Sequence, residues 1–504
     1  LHNRAAQICE NRRSFMAELH AVSKKHFTDR RRNRSALRAR PNYSKPLETN
    51  LLNSLWRESS EHLATSRRAL DTDLQCDVAI IGGGYSGLWT AYYLKQFAPD
   101  CRIAVLESNQ IGFGASGRNG GWCSGFLPVS LGELEASHGR QAAIEMYTES
   151  FRTLDEIESV ITNQKIDCDY HRGGTINGAT NLVQKSRIDA ELSEMRRFGF
   201  DESDYRIIST NEVSSRIKII GLTSASYTPH CAVLNPAKLV HALANAVEKS
   251  GVEIYENTNV VEYSSGLVKT NRAICKAGVV IRATEGFTPR LKRHRRTLAP
   301  LYSYMVATEP LSTRQLSDLG WQNRETYHDA RNMIIYAQIT KDNRIAFGGR
   351  GAPYHFASRV KPQYDKHDVI HDKIIRSMHN VFPVSREVAV THRWGGPLGV
   401  PRNWRPSVNF DKVTGLGSLG GYVGDGVAAA NLAARTLAHL IKGDNHPLTG
   451  LPWVNHPSRK WEFEPLRYIG INGLLKISES MDKYEAQHNK PDNVRSFILN
   501  KFLG

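Results

Sequence analysis

The sequence lacks most of the features that would place it in several large classes. Its seven cysteines (Cys9, Cys76, Cys101, Cys123, Cys168, Cys231 and Cys275) are scattered and form no C-x-x-C pair. That pattern argues against a disulfide framework and for reduced thiols, as expected of a cytoplasmic protein. Cysteine and histidine never fall at zinc-ligand spacing, so no metal is expected. No apolar run reaches the roughly 18 residues of a membrane-spanning helix. The longest apolar-biased stretch, 427–441, is interrupted by Asn431, Arg435 and His439 and reads as a packed helix. There is no internal repeat. Aromatic residues are not interleaved with basic ones along a predicted face, so nucleic acid is not an expected partner.

What is present is ordinary globular material: 504 residues, 40% apolar and 23% charged, enough for two or three domains. The net charge of +16 is unevenly spread. Residues 1–45 hold 12 Lys/Arg against 3 Asp/Glu, a surplus of +9, which leaves +7 for the rest. This basic tail is expected to be disordered and to take no part in catalysis. Residues 46–75 read as a polar lead-in arm whose one large anchor is Trp56.

Chemistry first shows in "CDVAIIGGGYSGLWTAYYLKQF" (76–97). Val78-Ala79-Ile80-Ile81 is a short continuous apolar run, as expected of a strand buried on both faces of a parallel sheet. Gly82, Gly84 and Gly87 follow as G-x-G-x-x-G, with Tyr85 and Ser86 between them, and a helical pattern runs on through Leu88, Ala91 and Leu94. The first glycine permits a tight turn, the second a close backbone approach to a pyrophosphate, and the third close packing of helix on strand. The helix N-terminus then presents amide groups and the positive end of its dipole to that anion. A second predicted strand, "CRIAVLES" (101–108), ends in Glu107 and Ser108, where a carboxylate can accept from ribose hydroxyls. Together these form a β-α-β dinucleotide unit.

NAD and FAD share such a unit, and the next segment separates them. "IGFGASGRNGGWCSG" (111–125) begins four residues after Glu107, too soon for another crossover helix. Six glycines in fifteen residues mean either a mobile linker or a backbone that passes very close to something. Gly114, Ala115, Ser116 and Asn119 are placed to meet phosphate or ring acceptors, and Gly120 and Gly121 let the loop pass a flat ring. Arg118 is expected at the pyrophosphate or at the far edge of the ring. The apolar neighbours Trp122, Cys123 and Phe126 speak against a linker, and the reading favours FAD.

The segments "DVAIIGGGYSGLWTAYYL", "GFGASGRNGG" and "GYVGDGVAAANLAARTLA" together resemble the FAD-dependent D-amino-acid oxidase superfamily. The likeness is closest to its glycine oxidase, sarcosine oxidase and gamma-glutamylputrescine oxidase-like branch, and it spans about residues 76–442. The resemblance implies an α/β (α+β overall) fold: a discontinuous Rossmann-like FAD-binding domain under an antiparallel-sheet substrate domain. The FAD domain is expected at 76–130, 205–290 and 395–445, the substrate domain at 131–204 and 291–394, and a C-terminal extension at 446–504. By the same likeness Val260 in "TNVVEY" holds adenine, Ala283 lies near the pyrophosphate, and Gly421, Tyr422, Gly424, Gly426 and Val427 meet the flavin's pyrimidine side. Glu285 and Asp425 depart from the pattern; Asp425 reads as a helix N-cap turned away from the ring.

The implied chemistry is transfer of hydride from a carbon bearing a neutral amine to flavin N5, giving an imine that water hydrolyses, with O2 as acceptor. A dehydrogenase or demethylase using another acceptor, and a non-catalytic flavin-binding scaffold, stay open as alternatives. FAD is expected to be non-covalent, because 112–121 and 394–420 hold no Cys or His and Cys123 reads as a small buried thiol. Candidate substrate contacts are Tyr302 and Tyr304 (one face by period two), Tyr336, Arg350 as a fork for a carboxylate, and Trp394.

Overall fold

The computed structural model describes residues 54–503, apart from positions 350 and 352. The basic tail 1–45 and the start of the lead-in arm lie outside the described residues. Val78, Ala79, Ile80 and Ile81 are each no more than 4% exposed, because their strand, Leu74–Ile81, sits in the middle of the first sheet. It pairs in parallel with Ile103–Leu106 on one side and Ile274–Arg282 on the other. Glu253–Tyr255 extends the sheet beyond Ile103–Leu106, and Leu416–Gly420 and Ser407–Asp411 extend it beyond Ile274–Arg282. Helices Tyr85–Phe97, Pro236–Lys249 and Gly426–Lys442 bury their apolar faces in one core on this sheet. The long helix Arg140–Asn163 joins the same core through Tyr147, Phe151 and Leu154.

The second sheet has eight strands in the order Val390–Val400, Ala299–Thr308, Ile345–Gly349, Ile335–Ile339, Thr326–Asp329, Thr175–Ala179, Ser224–Thr228 and Arg206–Ile208. All its pairings are antiparallel except Thr326–Asp329 with Thr175–Ala179. Arg206–Ile208 and Ser224–Thr228 therefore belong here, although the sequence grouping 205–290 set them with the dinucleotide unit. Their short alternating pattern is a strand signal that carries no information about which sheet it joins. One face of this sheet packs on helix Asp368–Val381 through Ile374 and Met378. Leu55 and Trp56 are buried against Met305, Ala307 and Trp394. Among the described residues no helix is long and apolar enough to cross a membrane.

Candidate active site

A groove runs along the carboxyl ends of the first sheet's strands, where ligands bind in open α/β folds. Its floor is the turn from Ile81 into helix Tyr85–Phe97, with Gly82, Gly84, Tyr85 and Ser86 at the wall. Gly82 has φ +113°, and a Cβ there would stand 2.4 Å from Ala283 O. Gly87 lies behind the wall, and a Cβ on it would meet Gly82 O at 2.1 Å, so it sets how closely helix and strand pack. Glu107 and Ser108 line the groove at the end of the second strand. The Glu107 carboxylate accepts from Gly83 N and Asn109 N, both at 2.8 Å, and burial still holds it above its ordinary pKa. Such a carboxyl awaits further donors, as ribose hydroxyls would supply.

The glycine-rich loop 111–125 folds onto this turn rather than away from it. Ser116 Oγ accepts from Tyr85 N at 2.9 Å, which ties the two glycine loops together. Gly114, Ala115, Ser116 and Asn119 line the groove. Val260 and Ala283 form the wall beyond Glu107, and Tyr422, Gly424, Gly426 and Val427 close the other end. Tyr422 OH and Ser86 Oγ share a hydrogen bond of 2.9 Å, linking the last loop to the first helix. Gly421 is not in the wall; its amide donates to Glu285 Oε2 at 2.8 Å. Gly121 is not there either, since its amide donates to Asn119 Oδ1 at 2.7 Å. A long cleft with a helix N-terminus at its middle, glycines where side chains would fill it and an acid at one end fits FAD.

Several expectations need correction. Arg118 does not reach the groove. Its Nη1 pairs with Asp365 Oδ2 at 2.8 Å and its Nε donates to Phe113 O, so the guanidinium is drawn across into the second sheet's territory. Tyr302 and Tyr304 do share a face, but it is the one packed on helix Asp368–Val381, and Tyr304 OH donates to Tyr364 O at 2.6 Å. Trp394, 2% exposed, donates from Nε1 to Arg118 O at 2.9 Å and stands edge-on to Trp56, supporting the loop from behind. Arg350 lies outside the described residues. Asp425 occupies the N-cap position of helix Gly426–Lys442, but its side chain makes no capping bond and faces a second cavity. Cys123 is fully buried, as expected.

That second cavity, about 590 Å³, lies between the two sheets. Ser303, Met305, His328 and Tyr336 from the second sheet face it, with Trp122, Phe126 and Tyr147 opposite. Tyr336 OH and Ser303 Oγ hold each other at 2.8 Å. Gly120 and Arg118 lie on its wall, and it shares Ala115, Asn119, Leu398, Gly424 and Val427 with the groove. Sequence reasoning missed Thr258, Asn259, Phe113 and Phe287 in the groove, although the first two directly precede Val260. It also missed the acids of the chamber, Glu133, Glu191 and Glu194, which no local motif marks. Glu285, the residue that breaks the expected pattern, accepts from Gly421 N (2.8 Å) and Tyr422 N (3.2 Å), and burial lifts its pKa to about 7.

Comparison with known proteins agrees with this geometry. Residues 77–440 match the family model DAO, FAD dependent oxidoreductase. Gamma-glutamylputrescine oxidoreductase of Escherichia coli (strain K12) is 27% identical over 384 residues, 74% of this chain and 85% of that protein. Sarcosine oxidase subunit beta of an Arthrobacter species is 23% identical, covering 80% and 94%. The crystal structure of glycine oxidase from Geobacillus kaustophilus shares the fold, with TM-score 0.64, 20% identity and coverage of 76% and 100%. With the family model spanning most of the chain and a groove that fits the cofactor, this protein belongs to the DAO family and is an FAD-dependent oxidoreductase.

Proposed function

We propose that this protein oxidises a C–N bond of a small amine or amino acid, using non-covalently bound FAD and O2 as the final acceptor. One observation carries the reading: the chamber and the groove share a wall at Ala115, Asn119, Leu398, Gly424 and Val427. A small molecule in the chamber therefore lies against whatever fills that end of the groove. The relatives named as acting on gamma-glutamylputrescine and sarcosine support an amine as that molecule. FAD, when bound, supplies the two-electron acceptor. The chain's own part is to hold the substrate in register and exclude water. Trp122 and Tyr336 offer flat apolar walls, and the paired Tyr336 and Ser303 hydroxyls offer a polar edge.

The groove residues named above are the proposed FAD contacts, with the first sheet as the FAD-binding unit and the second as the substrate cover. Non-covalent attachment is supported by the absence of Cys and His among the described residues of the groove wall. A cytoplasmic location is supported by six described cysteines that are all free thiols.

The test is a spectrum followed by a titration. The purified protein is expected to be yellow and to release its flavin on denaturation. It should bleach anaerobically with a member of an amine and amino-acid panel and form peroxide when O2 returns. A colourless protein that takes up no FAD defeats the cofactor reading. Bleaching without peroxide points to another acceptor, and no bleaching by any amine points to a scaffold.

A further inference from the structure

The chamber wall carries four acids. Glu133, Glu191, Glu194 and Asp425 all line it; burial keeps the Tyr147 hydroxyl un-ionised, and these four acids add to that effect. The basic residues in the lining are Arg118 and His328; Arg118 Nη1 pairs with Asp365, while its buried Nη2 has no hydrogen-bond partner among the described residues. Hydrogen bonds within the fold also hold these carboxylates. Glu133 caps its own helix through Ser130, Glu194 accepts from Gly132 N at 2.8 Å, and Glu191 accepts from Tyr205 OH at 2.7 Å.

The wall at Glu191 shares no residue with the groove, and its hydrogen bonds run one way. Ser226 Oγ donates to Tyr205 OH at 2.6 Å, and Tyr205 OH donates to Glu191 Oε2. Asn177 alternates with Ile176, whose side chain is in the core behind the sheet, so Asn177 faces the chamber. Its Nδ2 turns to Glu191 Oε2, because an amide oxygen there would repel the carboxylate. Asn177 is only 7% exposed, yet its Oδ1 has no hydrogen-bond partner. A buried acceptor without a donor is costly unless a ligand supplies one. Both Asn177 and Glu191 thus offer acceptors, beside a chain whose donors are already spent. An ammonium group, with three donors and no acceptor, is the complement.

We propose that Glu191 and Asn177 form a subsite for a distal ammonium group, so that the substrate is a diamine or another amine carrying a second positive charge away from the bond being oxidised. This rests on the amine-oxidising reading of the same chamber. Burial holds the Glu191 carboxyl above its ordinary pKa, and an arriving cation opposes that shift.

The test uses FAD-loaded protein titrated with diamines from 1,3-diaminopropane to 1,8-diaminooctane and with monoamines of equal chain length, by calorimetry and by the flavin spectrum. At least one diamine should bind about ten-fold or more tighter than its matched monoamine, the size of a charge-assisted hydrogen bond. Glu191→Gln should bring that diamine to the monoamine's value. Asn177→Leu, similar in size, should weaken the diamine in the same direction and serves if Glu191→Gln does not fold. Equal or absent binding of diamines and monoamines by the wild type overturns the subsite, as does tighter binding of a monoamino acid. Selective diamine binding without bleaching by any amine upholds the subsite and overturns the amine-oxidising reading instead.

Discussion

Replacing Glu285 by glutamine removes a carboxyl that titrates near neutrality inside the cofactor groove. The carboxylate accepts from Gly421 N and Tyr422 N, yet burial outweighs both bonds and lifts its pKa from 4.5 to about 7. A raised carboxyl favours the folded state fully below pH 4.5, and that advantage is lost as pH climbs through about 7. At about 1.4 kcal/mol per pH unit the loss over this interval is about 3 kcal/mol at most, since solvent enters the open groove. Glutamine stays neutral throughout. Its oxygen can still accept from Gly421 N, but its NH2 cannot accept from Tyr422 N, a loss of about 1 kcal/mol. The variant should therefore be slightly less stable than wild type at pH 5 and up to about 2 kcal/mol more stable at pH 8.5. Urea unfolding of the apo-protein, followed by tryptophan fluorescence between those pH values, reads the crossing. Parallel curves for the two proteins would refute the burial argument.

Three other perturbations follow from the geometry. Gly82→Ala forces a side chain to φ +113° with its Cβ 2.4 Å from Ala283 O, a strain of about 1–3 kcal/mol. The flavin-to-protein absorbance ratio should fall sharply after dialysis, and full retention would contradict the close-approach reading. Trp56→Ala removes the 2.7 Å bond from its indole Nε1 to Asn119 O and the edge-on contact with Trp394. It should cost about 3–5 kcal/mol and speed flavin release, measured by melting temperature and fluorescence. Asp482 accepts from the amides of Asn332 and Met333, both at 2.8 Å, just before Ile334 and Tyr336 enter the chamber. Asp482→Ala should raise KM for the amine several-fold with flavin content unchanged; an unaltered KM would show that helix Leu466–His488, which carries Asp482, does not position that wall.

The groove was legible because short-range physics builds it. An apolar run, three glycines and a strand-end acid within about thirty residues leave little choice of structure, and Gly82, Gly84 and Glu107 fall where that logic puts them. The chamber was not legible, because its residues meet only through pairing between distant strands. Period two correctly joined Tyr302 to Tyr304, but it cannot say which face of a two-sided sheet is core, and helix Asp368–Val381 takes that face. Their neighbours Ser303 and Met305 face the cavity instead. The partner of Arg118 was hidden for the same reason: Asp365, which captures its Nη1, lies 247 residues away.

Two charged residues, one on the chamber wall and one on the groove wall, are compensated in different ways. Arg118 is neutralised by Asp365, with both side chains 6% exposed, and Glu285 is lifted toward its neutral form. Removing Asp365 would leave a buried arginine uncompensated, a loss of about 3–5 kcal/mol. The pair is thus better read as structural than as an anion receptor. Glu133, Glu191 and Glu194 line a cavity that adjoins the groove without being part of it. Under the proposed subsite, selection by charge belongs to the chamber, where a cation would meet these acids. A carboxylate would meet a single arginine, whose Nη1 is held by Asp365 and whose Nη2 has no hydrogen-bond partner among the described residues.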